Sequence, residues 1–244
     1  MREDSTDYLA RGEGEQIRQM FNRIAWRYDF LNRLFTLRLD ARWRRKAVRL
    51  LGPRFEGRLL DVATGTADLA LEAWRQYRPL QIIGLDISDG MLALGQKKSE
   101  KRGVSQSISL VPGRSEQMPF PDQYFNGVMC GFGVRNFDNL DAGLAEMYRV
   151  VQKGGRVVIL EFSQSGNPLF RKLFDIYFTR FMPIVGGLLS KDRQAYQYLP
   201  ASVYRFPSGN HFLDRLRAAG FCSVGFSEMM FGLVSIYFAE RPVK

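Results

Sequence analysis

Histidine is almost missing from this sequence of 244 residues: His211 is the only one. A site built from histidine and cysteine around a metal ion therefore lacks ligands, and no metal is expected. Cysteine is nearly as scarce, with Cys130 and Cys222 far apart and the first inside an apolar run, so buried free thiols are expected rather than a disulfide. No stretch reaches the roughly 18 uncharged apolar residues that a membrane span requires. The leading "MREDSTDYLARGEGEQ" is polar and of mixed charge, unlike a secretory leader, and a cytoplasmic location is expected. Internal repeats and low-complexity tracts are absent too. The glycine-rich fingerprint of dinucleotide sites is also wanting: "LLDVATGTADLA" (59 to 70) carries a single glycine, Gly65, where such turns use two or three.

What is present is enough for one large globular domain, with 45% hydrophobic and 25% charged residues. The net charge of +10 is concentrated in two places. Residues 38 to 58 hold eight basic side chains against Asp40 and Glu56, and residues 165 to 205 hold six against Asp175 and Asp192. A basic field so confined draws in an anionic surface or substrate, or else marks solvated helix faces.

Apolar runs alternate with helical periodicity from Leu59 onward. Strands are predicted over 58–63, 80–87, 107–113, 124–134 and 156–163, and helices over 67–77, 90–103 and 139–155, the last stopped by Lys153-Gly154-Gly155. Strict succession of strand and helix implies right-handed crossovers and a doubly wound parallel sheet. After a helix over 211–221, two strand-like runs within 222–240 meet near Phe231-Gly232 with no room for a crossover, so they pair antiparallel. Five parallel strands closed by an antiparallel hairpin is the layout of class I methyltransferases. It gives one α/β, Rossmann-like domain with a helical cap at 14–51, a core at 52–165, a helical insertion at 166–210 and a C-terminal helix and hairpin at 211–244.

Ligands of such sheets lie beyond the carboxyl ends of the strands, where strand order reverses. Ala63, Gly65 and Ala67 are small enough for backbone to approach a ligand, and Thr66 offers a hydroxyl at the mouth. Asp86 closes the second strand about 20 residues on, where a carboxylate accepts hydrogen bonds from both ribose hydroxyls. Asp61 and Asp86 together repel a pyrophosphate and attract a ligand bearing a sulfonium and an ammonium, which favours S-adenosylmethionine over NAD; an ordinary tight turn is the plainer alternative. The third strand ends at Arg114 and Ser115, whose backbone is placed to read an adenine edge while the arginine side chain points to solvent. The fourth ends at Gly131, followed by Arg135 and Asn136 near the transferable group, or with Arg135 paired to an acid such as Asp138.

At these residues the sequence resembles the menaquinone and ubiquinone biosynthesis C-methyltransferase family. "YDFLNRLFTLRLDARW" (28 to 43) is similar to its first signature through Tyr28, Asp29, Asn32 and Trp43, and "RVVQKGGRVVILEFS" (149 to 163) to its second. "FGVRNF" and "YQYLPASVYRFP" (196 to 207) also follow the family, so the likeness covers nearly the whole chain. Ala67 stands where the family commonly has glycine, Asp40 where histidine is common and Gly131 where serine is common. The resemblance implies that Thr66, Asp86, the Arg114/Ser115 turn and Gly131 contact S-adenosylmethionine. It further implies a polyprenyl quinol as methyl acceptor, a transient anionic membrane surface as partner and no nucleic acid.

Methyl transfer to carbon requires the reduced quinol, whose phenolate makes the adjacent ring carbon nucleophilic. Arg135 suits that oxyanion, and Asn136 with Tyr196 or Tyr198 suits hydrogen bonding beside it. His211 alone has an unperturbed pKa fit for a general base, at a helix start that the family does not fix as histidine. Phe170, Phe174, Tyr177 or Phe178, and Phe181 recur at helical spacing among Arg171, Lys172 and Arg180, as a surface-lying helix, an isoprenoid channel or plain core would require. An RNA or small-molecule methyltransferase and a lipid-surface scaffold without donor binding remain alternatives, and the oligomeric state, homodimer included, is left open.

Overall fold

A computed structural model describes residues 5–78, 80–164, 166, 168–176 and 193–244, with the side chains of 5–13, 173–176, 193–197 and 199 outside that description. The chain opens with a long helix α1 (Ser5–Phe35) and α2 (Leu39–Arg49). There follow β1 (Arg58–Val62), α3 (Asp68–Gln76), β2 (Gln81–Asp86), α4 (Asp89–Lys101), β3 (Ile108–Pro112) and β4 (Phe125–Gly131). A 3-10 turn (Val134–Asn136) leads to α5 (Leu140–Val150), β5 (Val151–Phe162), α6 (Pro168–Ile176), α7 (Arg193–Arg205), α8 (Asn210–Ala218), β6 (Cys222–Met229) and β7 (Val234–Glu240).

The seven strands form one sheet in the order β3-β2-β1-β4-β5-β7-β6. β1 pairs in parallel with both β2 and β4, β2 with β3, and β4 with β5. β7 runs antiparallel between β5 and β6. This is the expected doubly wound sheet with its closing hairpin, and strand order reverses between β1 and β4. Residues along each strand alternate between the two faces, as the period of two demands. Leu60, Val62, Val128 and Cys130 join α5 and α8 on one side, while Leu59 and Met129 join α2 and α3 on the other. Each fully buried Leu, Ile or Met contributes about 2 kcal/mol of transfer free energy.

Two boundaries differ from the sequence reading. The cap at its amino end is a single helix from Ser5, and Leu37 and Arg38 take positive φ (51° and 63°) to turn the chain into α2. Met20, Ile24, Ala25 and Leu31 recur at helical spacing and bury that helix against Met91 of α4. The Lys153-Gly154-Gly155 stop is not a helix end: α5 finishes at Val150, and the glycines lie within β5. Gly154, at φ +73°, bends the strand so that its amide reaches the Arg241 carbonyl, and the pairing register with β4 shifts there. Among the described residues no helix is long and apolar enough to cross a membrane.

Candidate active site

The turn after β1 takes left-handed backbone three times in five residues, at Ala63, Gly65 and Ala67 (φ 52°, 55° and 63°). Two of these are alanines, at a cost of about 1–2 kcal/mol each. A buried carboxylate holds the turn in place. Asp61, fully buried at 0% exposure, accepts the Thr64 hydroxyl at 2.7 Å and the Ala70 amide at 3.2 Å. Ala67 has no side chain with which to cap α3, and Asp61 supplies the missing acceptor. Burial pushes the Asp61 carboxyl up to about 7, against the pull of those two hydrogen bonds. Gly65 faces open space, whereas the Ala67 methyl is fully buried toward Gly95 of α4. The exchange of glycine for alanine at 67 therefore leaves the ligand side of the turn unchanged.

Asp86 ends β2 beside this turn. Its carboxylate accepts the Gly65 amide at 2.7 Å on one oxygen and the Ser88 amide at 2.8 Å on the other. Burial raises its pKa while these amides lower it, the net direction being upward. Ala63, Gly65, Asp86, Arg114, Ser115 and Gly131 all border one cavity. Six of the eight donor-site residues expected from sequence thus converge. The space is about 90 Å³ and partly open, with Ile17, Phe21 and Tyr28 of α1 lining it on the side away from the turn's own strand. Burial also raises the Tyr28 phenol.

Asp61 and Thr66 do not border that cavity. Asp61 is buried behind the turn, where it is bonded to Thr64 and Ala70. The Thr66 hydroxyl turns away to donate to Asp29 of α1 at 2.6 Å and to accept from Lys98 of α4 at 2.7 Å. Lys98 also pairs with Asp29 at 2.5 Å and with Asp68 at 2.7 Å. Burial opposes ionisation of Asp68, but Arg44 and Lys98 outweigh it and hold that carboxyl below its ordinary value. Asp40 pairs with the same Arg44 and accepts the Thr36 hydroxyl at 2.9 Å, so its role is to join α2 to this network. The result ties α1, α2, α3 and α4 to the turn.

Arg114 also departs from expectation. Its guanidinium pairs with Asp138 instead of pointing freely to solvent. Gly14, having no side chain, lets α1 pass directly over Asp138. Arg135 is left to a different acid, Glu161, at 2.7 Å, with the two side chains 5% and 0% exposed. The same Arg135 nitrogen donates to the Phe132 carbonyl, while its Nε is buried with no partner. Burial pushes the Glu161 carboxyl up although the arginine draws it down. Burial and the nearby Glu161 and Asp61 charges drive the Cys130 thiol well above its usual range, which leaves it unreactive.

Arg135 and Asn136 border a second, larger groove of about 790 Å³, together with Met20 and Arg23 of α1, Tyr198 of α7 and Phe206. Ile17, Asn136, Phe137 and Asp138 border both spaces, so they adjoin. The Tyr198 hydroxyl donates to the Asn136 side-chain oxygen at 3.0 Å. The Tyr196 side chain lies outside the described residues. His211 is exposed on α8 and borders neither space.

Sequence reasoning missed Glu161, Lys98 and the wall formed by α1. Glu161 had one visible signal, a lone carboxylate in the apolar run "VVILEF", which burial obliges to find a partner.

The ubiE/COQ5 methyltransferase family matches residues 10–241. The chain is 45% identical over 240 residues to the ubiquinone/menaquinone biosynthesis C-methyltransferase UbiE of Geobacter sulfurreducens, covering 98% of this chain and 93% of that one. It is 41% identical over 229 residues to the demethylmenaquinone methyltransferase of Bacteroides fragilis, covering 94% of each. Among solved structures, phosphoethanolamine N-methyltransferase 2 of Haemonchus contortus in complex with S-adenosyl-L-methionine superposes with a TM-score of 0.61 at 14% identity, over 82% of this chain and 52% of that one. The strand order, the Asp86 carboxylate beside an open glycine turn and a match over nearly the full length agree: the chain belongs to the ubiE/COQ5 methyltransferase family, and its methyl donor is S-adenosylmethionine.

Proposed function

We propose that this enzyme methylates a ring carbon of a polyprenylated quinol, with demethylmenaquinol as the first choice of acceptor and a benzoquinol of the ubiquinone pathway as the second. The observation that carries the reading is the junction of the two spaces at Asn136, beside a guanidinium that keeps one buried nitrogen free.

The donor supplies an electrophilic methyl group on a sulfonium. For its part the protein offers Asp86 to the ribose hydroxyls, with both carboxylate oxygens already oriented by backbone amides. Asp86 sets a negative charge beside the turn that favours a cation, and Asp61 adds to it only in its ionised form, since burial raises its pKa to about 7. Ile17, Phe21 and Tyr28 give the donor cavity an apolar wall. A space of about 90 Å³ falls below the roughly 300 Å³ at which small-molecule sites begin, so a bound donor needs more room than the cavity holds as it stands.

On the acceptor side, the quinol loses its hydroxyl proton to become a phenolate, and electron density passes to the neighbouring ring carbon. That carbon forms the new bond to methyl as the carbon–sulfur bond of the sulfonium breaks and leaves a neutral thioether, then loses its own hydrogen as a proton to water to restore the aromatic ring; the oxygen regains a proton on release, so one proton is given up overall. Arg135 cannot take up either proton, since guanidinium stays charged. Arg135 is the cation proposed to meet the phenolate: it borders the acceptor groove, its Nε has no partner in the protein, and Glu161 holds the guanidinium. Tyr198 holds Asn136 in one orientation at the junction. Purified enzyme given donor and reduced demethylmenaquinol should release the methylated quinol. Intact donor binding with no methylation of naphthoquinol or benzoquinol would refute the assignment.

A further inference from the structure

The outer face of α1 remains unexplained by the chemistry above. Trp26, Phe30 and Leu34 repeat every four residues and are 68%, 61% and 41% exposed, and Leu37 beyond the helix end is 79% exposed. Large apolar side chains so aligned form a continuous stripe, unlike singly scattered surface residues. Gln19 and Arg23, which border the large groove, fall on the same helical face two turns and one turn earlier. The groove therefore opens onto the start of the stripe. From Arg23 to Leu34 the face runs about 16 Å.

The charge around the stripe has one sign. Residues 23–45 contain seven arginines and two acids. Both acids are engaged inward, Asp29 with Lys98 and Thr66, and buried Asp40 with Arg44 and Thr36. Arg33, Arg38 and Arg42 are exposed, and the Arg27 guanidinium lies 3.8 Å from the centre of the Trp26 ring. An apolar stripe bordered by outward arginines suits the boundary between anionic headgroups and acyl chains, where tryptophan and arginine are favoured. A bare phosphate chain would use the arginines but leave the aliphatic part of the stripe in water. The sequence had offered Phe170, Phe174, Tyr177 or Phe178, and Phe181 for this role or for plain core. Phe170 stacks on Phe231 at 3.9 Å, and the side chains of the others lie outside the described residues.

We propose that the Trp26, Phe30, Leu34 and Leu37 face of α1 docks on an anionic bilayer, so that the acceptor groove opens at the lipid surface. This deepens the quinol reading and rests on it for the acceptor, whose tail would pass from groove to lipid along this face. It also gives α1 two jobs, wall of the donor cavity and contact with the membrane.

The test compares the full-length chain with Trp26→Ser/Phe30→Ser/Leu34→Ser and with Arg33→Glu/Arg38→Glu. Each protein is mixed with extruded vesicles of phosphatidylglycerol and phosphatidylcholine, or of phosphatidylcholine alone, and its partition is read by flotation. Calorimetry with S-adenosylmethionine and a melting curve on the same samples establish that the variants are folded. The wild type should float with anionic vesicles and detach as salt rises, and each reversed arginine should weaken partition more than about fivefold. The triple serine variant should lose at least tenfold in partition. It should methylate a tailless quinol at the wild-type rate and a vesicle-embedded quinol far more slowly. Equal flotation of wild type and triple variant would overturn the proposal, as would failure of the wild type to float. Loss of a dimer on size exclusion by the triple variant without a change in flotation would assign the face to a second copy of the chain. Salt-sensitive binding of single-stranded RNA, lost in the triple variant while flotation persists, would assign it to nucleic acid. If flotation behaves as stated but no quinol is methylated, the membrane face stands and the substrate reading fails.

Discussion

Replacing Asp61 by asparagine should make the protein's stability less dependent on pH. The native carboxyl is fully buried and sits near pKa 7, raised from an ordinary value of 3.8. The folded state thus binds this proton more tightly than the unfolded chain. The associated stabilisation is present below about pH 4, is lost progressively as pH rises, and is gone above pH 7. About three pH units at 1.36 kcal/mol each amount to about 4 kcal/mol over the whole range, of which about 2–3 kcal/mol falls between pH 5 and 8. Asparagine keeps one oxygen to accept from Thr64 and Ala70 and carries no charge to desolvate. Its stability relative to wild type should therefore climb by that amount from pH 5 to pH 8, equivalent to a difference in Tm growing by about 5–10 °C for a chain of this size. Paired melting curves at four pH values give the answer, because titrating groups not coupled to Asp61 cancel in the difference. A gap that stays flat with pH would refute the claim that Asp61 is a desolvated carboxyl under the turn.

Three further outcomes follow from the site. Asp86→Ala removes a charged acceptor for two hydroxyls, at roughly 1.5–3 kcal/mol per hydrogen bond, and should weaken S-adenosylmethionine binding about 100-fold or more by calorimetry; a loss under threefold would remove Asp86 from the donor site. Arg135→Lys retains the charge but not the fork, so kcat should fall about 100-fold with donor affinity nearly unchanged; a defect confined to donor binding would contradict the oxyanion role. Lys98→Met cuts the link among Asp29, Thr66 and Asp68, and should raise the donor KM about tenfold, with partial recovery in Lys98→Arg. An unchanged KM would mean that the wall holds without it.

The sheet and the Asp86 and Arg135 positions were legible because each sits where an apolar run stops, and the carboxyl ends of parallel strands share one edge. The roles of Thr66 and Asp61 were not. Thr66 finds Asp29 and Lys98 at separations of 37 and 32 residues, and a hydroxyl facing a ligand is written identically to one facing a neighbouring helix. Similarly, helical spacing in α1 reveals a buried face but not that the face lines a ligand cavity. The glycines at 154 and 155 misled for a local reason: a left-handed glycine ends a helix and bends a strand equally well. Glu161 shows the reverse case, in which a charge inside a strand marks a partner that only the fold can bring to it.

The most direct measurement uses donor labelled with deuterium in its methyl group, reduced demethylmenaquinol in lipid, and mass spectrometry of the extracted quinol. The account requires one labelled methyl on a ring carbon in place of hydrogen, formed by wild type and nearly abolished in Asp86→Ala. Label found on an oxygen, or no label in the quinol although the donor binds, would contradict it.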